Sequence, residues 1–150
     1  MTKSEPTFSP FSPKYKKACL ALFDQNCPRY FSPNEKADYK MFLSGKPAGY
    51  SVGFLGKEVV AACGLTSITE LGQARLSWIL VSNHHKGQGL GHTMMTHMLE
   101  QAKQNKVQRI DIAASHLSAD FFAKFGAKEI LRTENGWGPE MHRVDMLLQL

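Results

Sequence analysis

Glycines occupy alternate positions in Lys86-Gly87-Gln88-Gly89-Leu90-Gly91. A glycine loop lets main-chain N–H groups approach a ligand without a Cβ in the way. The residues before it, 74–81, form an extended apolar run rich in Leu, Trp, Ile and Val. After it, Leu90, Met94, Met95, Met98, Leu99 and Ala102 recur at helical spacing. A strand that turns on glycines straight into a helix collects N–H donors and the positive end of the helix dipole at one spot. The chemistry suited to that spot is the binding of a pyrophosphate. Two familiar phosphate loops do not fit. The P-loop pattern GxxxxGK[ST] is absent, and a GxGxxG fingerprint would need glycine where His92 stands.

Other chemistry-bearing residues are sparse. His84 and His85 flank the loop and titrate near neutrality, although loop histidines are most often surface residues. His92 and His97 are five apart, which is not the helical i, i+4 metal spacing, and no HExxH occurs; no metal site is expected. Cys19, Cys27 and Cys63 are odd in number and include no CxxC, so neither a disulfide framework nor a zinc site is indicated. Cys19 and Cys63 lie in apolar runs and read as small core residues.

The elements that must position the loop can be read in order. Phe8 and Phe11 offer a short first strand. Ser12-Pro13 reads as a cap with proline in the first turn of a helix carrying Tyr15, Ala18, Cys19, Leu22 and Phe23. Ser32-Pro33-Asn34-Glu35 has the form of a capping box, serine first and glutamate three residues on. The helix it opens buries Tyr39, Phe42 and Leu43 and stops at Gly45. Residues 50–55 and 59–65, joined by Gly56-Lys57, read as a β-hairpin. Beyond the long helix come a strand at 109–113, a short helix from Ser118 to Phe125 closed by Gly126, and strands at 127–133 and 141–150. Asn135-Gly136 marks the connection between those last two strands, which should pair antiparallel. The fold class is therefore α/β: a mixed, mostly antiparallel sheet of six to seven strands with helices on both faces.

Composition bounds the function. The chain of 150 residues fits one domain, 1–150, since domains run most often to roughly 100–150 residues. No apolar run approaches the roughly 20 residues of a membrane helix, and residues 1–10 lack a signal-peptide core, so a cytoplasmic protein with no membrane partner is expected. The net charge of +5 favours anionic partners, but the basic residues are scattered and no nucleic-acid-binding motif is present. Nucleic acid is not an expected partner.

The chain resembles the GNAT family of N-acetyltransferases. Their loop between fourth strand and third helix has Gln or Arg, two residues, Gly, one residue, then Gly or Ala. Residues Lys86 to Gly91 match it with lysine in first place. The order of strands and helices matches over nearly the whole chain. Phe121-Phe122-Ala123-Lys124-Phe125-Gly126-Ala127 is similar to the family's F-Y-x-K-x-G-F segment.

The resemblance implies acetyl-CoA as co-substrate, held in a V-shaped opening between strands four and five. Leu80 and Val81 would serve the pantetheine arm. The amides from Gln88 through Leu90 to Gly91, with Gly87, Gly89 and Lys86, would hold the pyrophosphate. Ser115 and Phe122 would line the same site. It implies transfer of the acetyl group to a primary amine of a small molecule or peptide, by direct attack in a ternary complex. Glu35 and Tyr30, at the entrance of the second helix, are then the candidate bases; Glu35 can equally be only the capping partner. Trp78 would wall the acceptor pocket or belong to the core, and Trp137 would help select the acceptor. Members of the family can dimerise, and the resemblance admits a homodimer.

Two departures stand out. Phe122 occupies the place of a tyrosine that serves many relatives as general acid, and Ser115, seven residues earlier, replaces a frequent asparagine. Phe122 has no proton to give. The alternative reading is accordingly an acyl-CoA-binding sensor or partner protein with weak catalysis.

Overall fold

The computed structural model describes residues 5–85 and 87–150. Its strands are β1 (Thr7–Pro10), β2 (Tyr50–Leu55), β3 (Glu58–Thr66), β4 (Gln73–Val81), β5 (Arg109–Ser115), β6 (Lys128–Gly138) and β7 (Met141–Gln149). The helices are α1 (Lys16–Gln25), α2 (Glu35–Ser44), α3 (Leu90–Gln104) and α4 (Ala119–Ala123). One sheet forms in the order β1-β2-β3-β4-β5-β7-β6. Only β4 and β5 pair in parallel, as the helical crossover α3 between them requires. The mostly antiparallel α/β class read from the sequence is the class observed.

Local chemistry explains most boundaries. Gly56 takes φ +62 and brings Leu55 opposite Glu58, so β2 and β3 form the anticipated tight hairpin. Three boundaries differ from expectation. Pro13–Tyr15 form a 3-10 turn and the α-helix begins at Lys16; the Ser12 hydroxyl caps nothing and is buried without a partner among the described residues. Ahead of α2, half of the capping box forms. The Ser32 N–H donates to Glu35 Oε2 at 2.7 Å, while the Glu35 N–H goes to the Ser32 carbonyl and not to its hydroxyl. That hydroxyl faces Gly138 instead: a Cβ built on Gly138 would stand 2.5 Å from Ser32 Oγ. At the far end, Asn135-Gly136 is not the connection. β6 continues to Gly138, and Pro139-Glu140 make the turn that sets Gly138 opposite Met141. Asn135, at φ +54, lies in a bulge held from both sides. Its N–H donates to His142 Nδ1 at 3.0 Å, and its Oδ1 accepts the Glu140 N–H at 2.7 Å.

Two apolar cores flank the sheet. One packs α3 and α4 on residues such as Leu65, Leu76, Ile110, Ile112 and Val144. The other packs α1 and α2 on Tyr50, Val52, Ala62 and Leu80. β4 serves both through a bulge. Ala62 faces Leu80 and Gly64 faces Ser77, so two steps along β3 match three along β4. One extra residue reverses the alternation of side chains. Ala74 and Leu76 point into the α3 core, but beyond the bulge Leu80 points into the α1–α2 core. Trp78 sits in the bulge at φ +42.

The cysteines follow the burial. Cys19 and Cys63 are fully buried, and desolvation pushes their thiols up to about 11 and about 12. Cys27 is partly exposed.

Candidate active site

The parallel pairing of β4 and β5 ends at Leu76 and Ile112. β5 stays paired with β7 as far as Ser115, while β4 bulges away at Trp78. The strands diverge, and a cleft of about 580 Å³ opens between them. Its walls come from the end of α1, the α1–α2 loop, the start of α2, the glycine loop, α4 and the β6–β7 end.

The glycine loop closes one side. Gly87 and Gly89 take φ +80 and +78, a conformation that suits glycine. Among the described residues, and beyond each glycine's own chain neighbours, no atom lies within 4 Å of a Cβ built on either residue. Gly89 is the cap residue of the 15-residue helix α3, so the loop presents an open concavity at a helix N-terminus. Gly91 lies against α4: a Cβ there would come 3.0 Å from the Phe121 ring, which would have to shift by a few tenths of an ångström. Leu90 is buried and anchors the helix start in the core, and Gln88 is exposed. These are the features a pyrophosphate fits. Lys86, the first residue of the motif, lies outside the described residues.

The strand side holds Val81, whose carbonyl accepts a hydrogen bond from Asn26 Nδ2 at 3.0 Å, tying the end of α1 to the strand. Leu80 does not line the cleft with its side chain, which is buried in the α1–α2 core. Ser115 and Phe122 line the opposite wall. The Ser115 hydroxyl accepts from the Leu117 N–H at 3.2 Å and lies 3.2 Å from the Ser118 hydroxyl. Ser118 thus caps α4 by position only; its hydroxyl turns back to Ser115.

The acceptor-side candidates converge. Tyr30, Glu35, Trp78 and Trp137 all line the cleft. Glu35 is 4% exposed. Burial raises its carboxyl to about 7; the Ser32 N–H opposes that shift and the charge of Asp38 adds to it. Trp78 belongs to the margin of the α1–α2 core and also lines the cleft. It packs on Tyr39 and Phe31, with ring centroids 4.9 and 5.9 Å away, and it faces the cleft. Trp137 donates its indole N–H to the Ala114 carbonyl at 2.8 Å, with the Arg143 guanidinium 4.8 Å above its ring. Of the two loop histidines, His85 reaches the cleft and its Nδ1 lies 3.0 Å from the Ser82 hydroxyl; His84 does not line it.

Sequence reading missed Arg75, Asp38, Arg143 and Ser118, which also line the cleft. One signal was available. Arg75 is the only charge in the apolar run 74–81, and a charge inside a strand that enters a core must have an open face.

The model of the acetyltransferase (GNAT) family matches residues 17–127, and the chain belongs to that family. No curated protein matches the sequence. Solved structures do match its fold. Ard1 from Thermoplasma volcanium superposes with a TM-score of 0.80 at 15% identity, over 97% of this chain and 98% of that one. The ribosomal-protein-S18-alanine N-acetyltransferase from Escherichia coli gives 0.77 at 18% identity, over 96% and 93%. Rv2747 from Mycobacterium tuberculosis, in complex with CoA and NLQ, gives 0.73 at 18% identity, over 97% and 99%. Among the described residues no helix is long and apolar enough to cross a membrane.

Proposed function

We propose that this protein transfers an acetyl group from acetyl-CoA to a primary amine held in the same cleft. The observation that carries the reading is the open glycine cradle at the start of α3, facing the gap where β4 leaves β5. Acetyl-CoA would supply the thioester to be attacked. Gly87 and Gly89 leave room for its pyrophosphate, and α3 directs its N-terminal amides there. Beyond Leu76, β4 has no strand partner on the β5 side among the described residues, which leaves main-chain groups near Leu80 and Val81 to align the pantetheine arm and polarise the carbonyl.

The acceptor amine must lose its proton before it attacks. Glu35 suits that task, being held near neutrality and lining the same cleft as Tyr30. Amine and thioester carbon then form the new C–N bond, the C–S bond breaks, and CoA leaves as a thiolate. Phe122 cannot protonate it. The hydroxyls of Ser115 and Ser118, on the same wall, or a water can. Phe122 is also the feature that favours the second reading, a protein that binds acyl-CoA and turns over slowly.

Thermal unfolding tests the reading. Ligand at a hundredfold excess over Kd stabilises by about 2.7 kcal/mol, and the midpoint should rise by roughly 2–8 °C. Gly89→Glu places a side chain and a negative charge in the cradle and should abolish that shift. An unchanged midpoint of the wild type at saturating acetyl-CoA would remove the reading.

A further inference from the structure

The floor of the cleft continues onto a sheet face that no helix covers among the described residues. Ile110, Ile112 and Ala114 of β5 and Val144 and Met146 of β7 point into the α3 core. Their neighbours in sequence therefore point the other way. Those neighbours are largely charged: Arg109 and Asp111, Arg143 and Asp145. Each acid on this face is taken by an arginine of its own strand. Arg109 Nε lies 3.2 Å from Asp111 Oδ1, and Arg143 Nη2 lies 3.0 Å from Asp145 Oδ1. Arg75 shares the face, in register with Asp111. It is exposed, lines the cleft, and has no carboxylate within ion-pair distance among the described residues. The opposite wall carries the other sign, with Glu35 and Asp38 in the first turn of α2.

A second observation concerns size. The acceptor end of the cleft is bridged. Asn34 Nδ2 donates to the Trp137 carbonyl at 2.8 Å, and the Gly138 main chain packs directly on Ser32. The α1–α2 loop and the end of β6 thus meet at this end of the cleft, which narrows the room for an extended acceptor.

Resting on the acyl-transfer reading, we infer that the acceptor is a compact amino carboxylate, its amine toward Glu35 and Asp38 and its carboxylate on Arg75. A guanidinium matches a carboxylate with two parallel donors. A diamine or polyamine would meet Arg75 as a like charge. Arg75 is in this account a specificity residue, and it has no part in the chemical step.

The experiment uses matched pairs. Transfer is measured to a panel of free amino acids, to their primary amides and to tripeptides, with wild type, Arg75→Gln and Arg75→Lys. In parallel, binding of the N-acetyl amino acids and their amides is measured by calorimetry with and without CoA, which needs no turnover. Wild type should prefer carboxylate over amide by about 10- to 100-fold, the range of one charge-assisted hydrogen-bond pair. Arg75→Gln should erase the preference, Arg75→Lys should keep part of it, and neither should alter the acetyl-CoA thermal shift. Equal binding of carboxylate and amide by wild type, or an unchanged preference in Arg75→Gln, overturns this inference. Tripeptides accepted as well as free amino acids would overturn the compact acceptor. An absent acetyl-CoA shift with no transfer to any amine overturns the acyl-transfer reading instead, and the calorimetry still decides the fate of Arg75.

Discussion

The Tyr50 hydroxyl donates to the main-chain carbonyl of Trp78 at 2.7 Å, from inside the α1–α2 core. Trp78 is the bulge residue at φ +42, so this bond fixes a conformation that a bulky side chain disfavours. The Tyr39 hydroxyl, 2.8 Å from that of Tyr50, completes the chain as its donor.

Tyr50→Phe removes the bond and leaves a part-buried carbonyl with one partner fewer. Stability should fall by about 1–3 kcal/mol. The loosened bulge should also weaken acetyl-CoA binding, raising its KM more than it lowers kcat. Denaturant titration and steady-state kinetics check both parts. Lost stability with an unchanged KM would show that the bond serves folding alone.

Glu35→Gln separates stability from activity. A carboxyl raised from 4.5 to about 7 binds its proton more tightly in the folded chain. Wild-type stability from this group is therefore complete below pH 4.5 and declines as pH rises toward 7. Glutamine escapes that decline and can still accept the Ser32 N–H. The variant should gain stability relative to wild type between pH 5 and pH 8, as read by melting temperature. If Glu35 is the base, wild-type kcat/KM climbs through about pH 7. In the variant the climb should vanish and the rate should fall by about 10²–10⁴.

Gly138→Ala tests the bridge over the cleft. The new methyl would meet Ser32 Oγ at 2.5 Å and Asn34 Oδ1 at 2.7 Å, so the α1–α2 loop must give way. Acceptor KM should change severalfold while the acetyl-CoA thermal shift stays as in wild type. A variant with an unaltered acceptor profile would assign the contact to stability only.

The glycine loop and the order of elements were legible because each rests on short-range rules: strand alternation, helical spacing, glycine where φ is positive. The bulge at Trp78 was not legible. It changes which face Leu80 and its neighbours take, and nothing in residues 74–81 marks an insertion relative to a partner strand that lies elsewhere in the chain. The half-formed capping box was hidden for a similar reason. Local pattern predicts both bonds of the box, but the serine hydroxyl lies against Gly138, more than a hundred residues away. Arg75 was visible as an isolated charge, yet its meaning depends on Asp111 and Asp145 already being claimed by other arginines. Asn135-Gly136 misled because a dipeptide typical of turns also suits a bulge two residues short of one.

The two buried cysteines have a practical corollary. Thiol reagents attack thiolates, and a group with a pKa of about 11 or 12 is almost wholly protonated at the mildly alkaline pH where such dyes are used. Cys19 and Cys63 are sealed from solvent as well. Colour developed by such a dye would then arise from liberated CoA over a background of one protein thiol, Cys27, and a Cys27→Ser chain would leave that background dark.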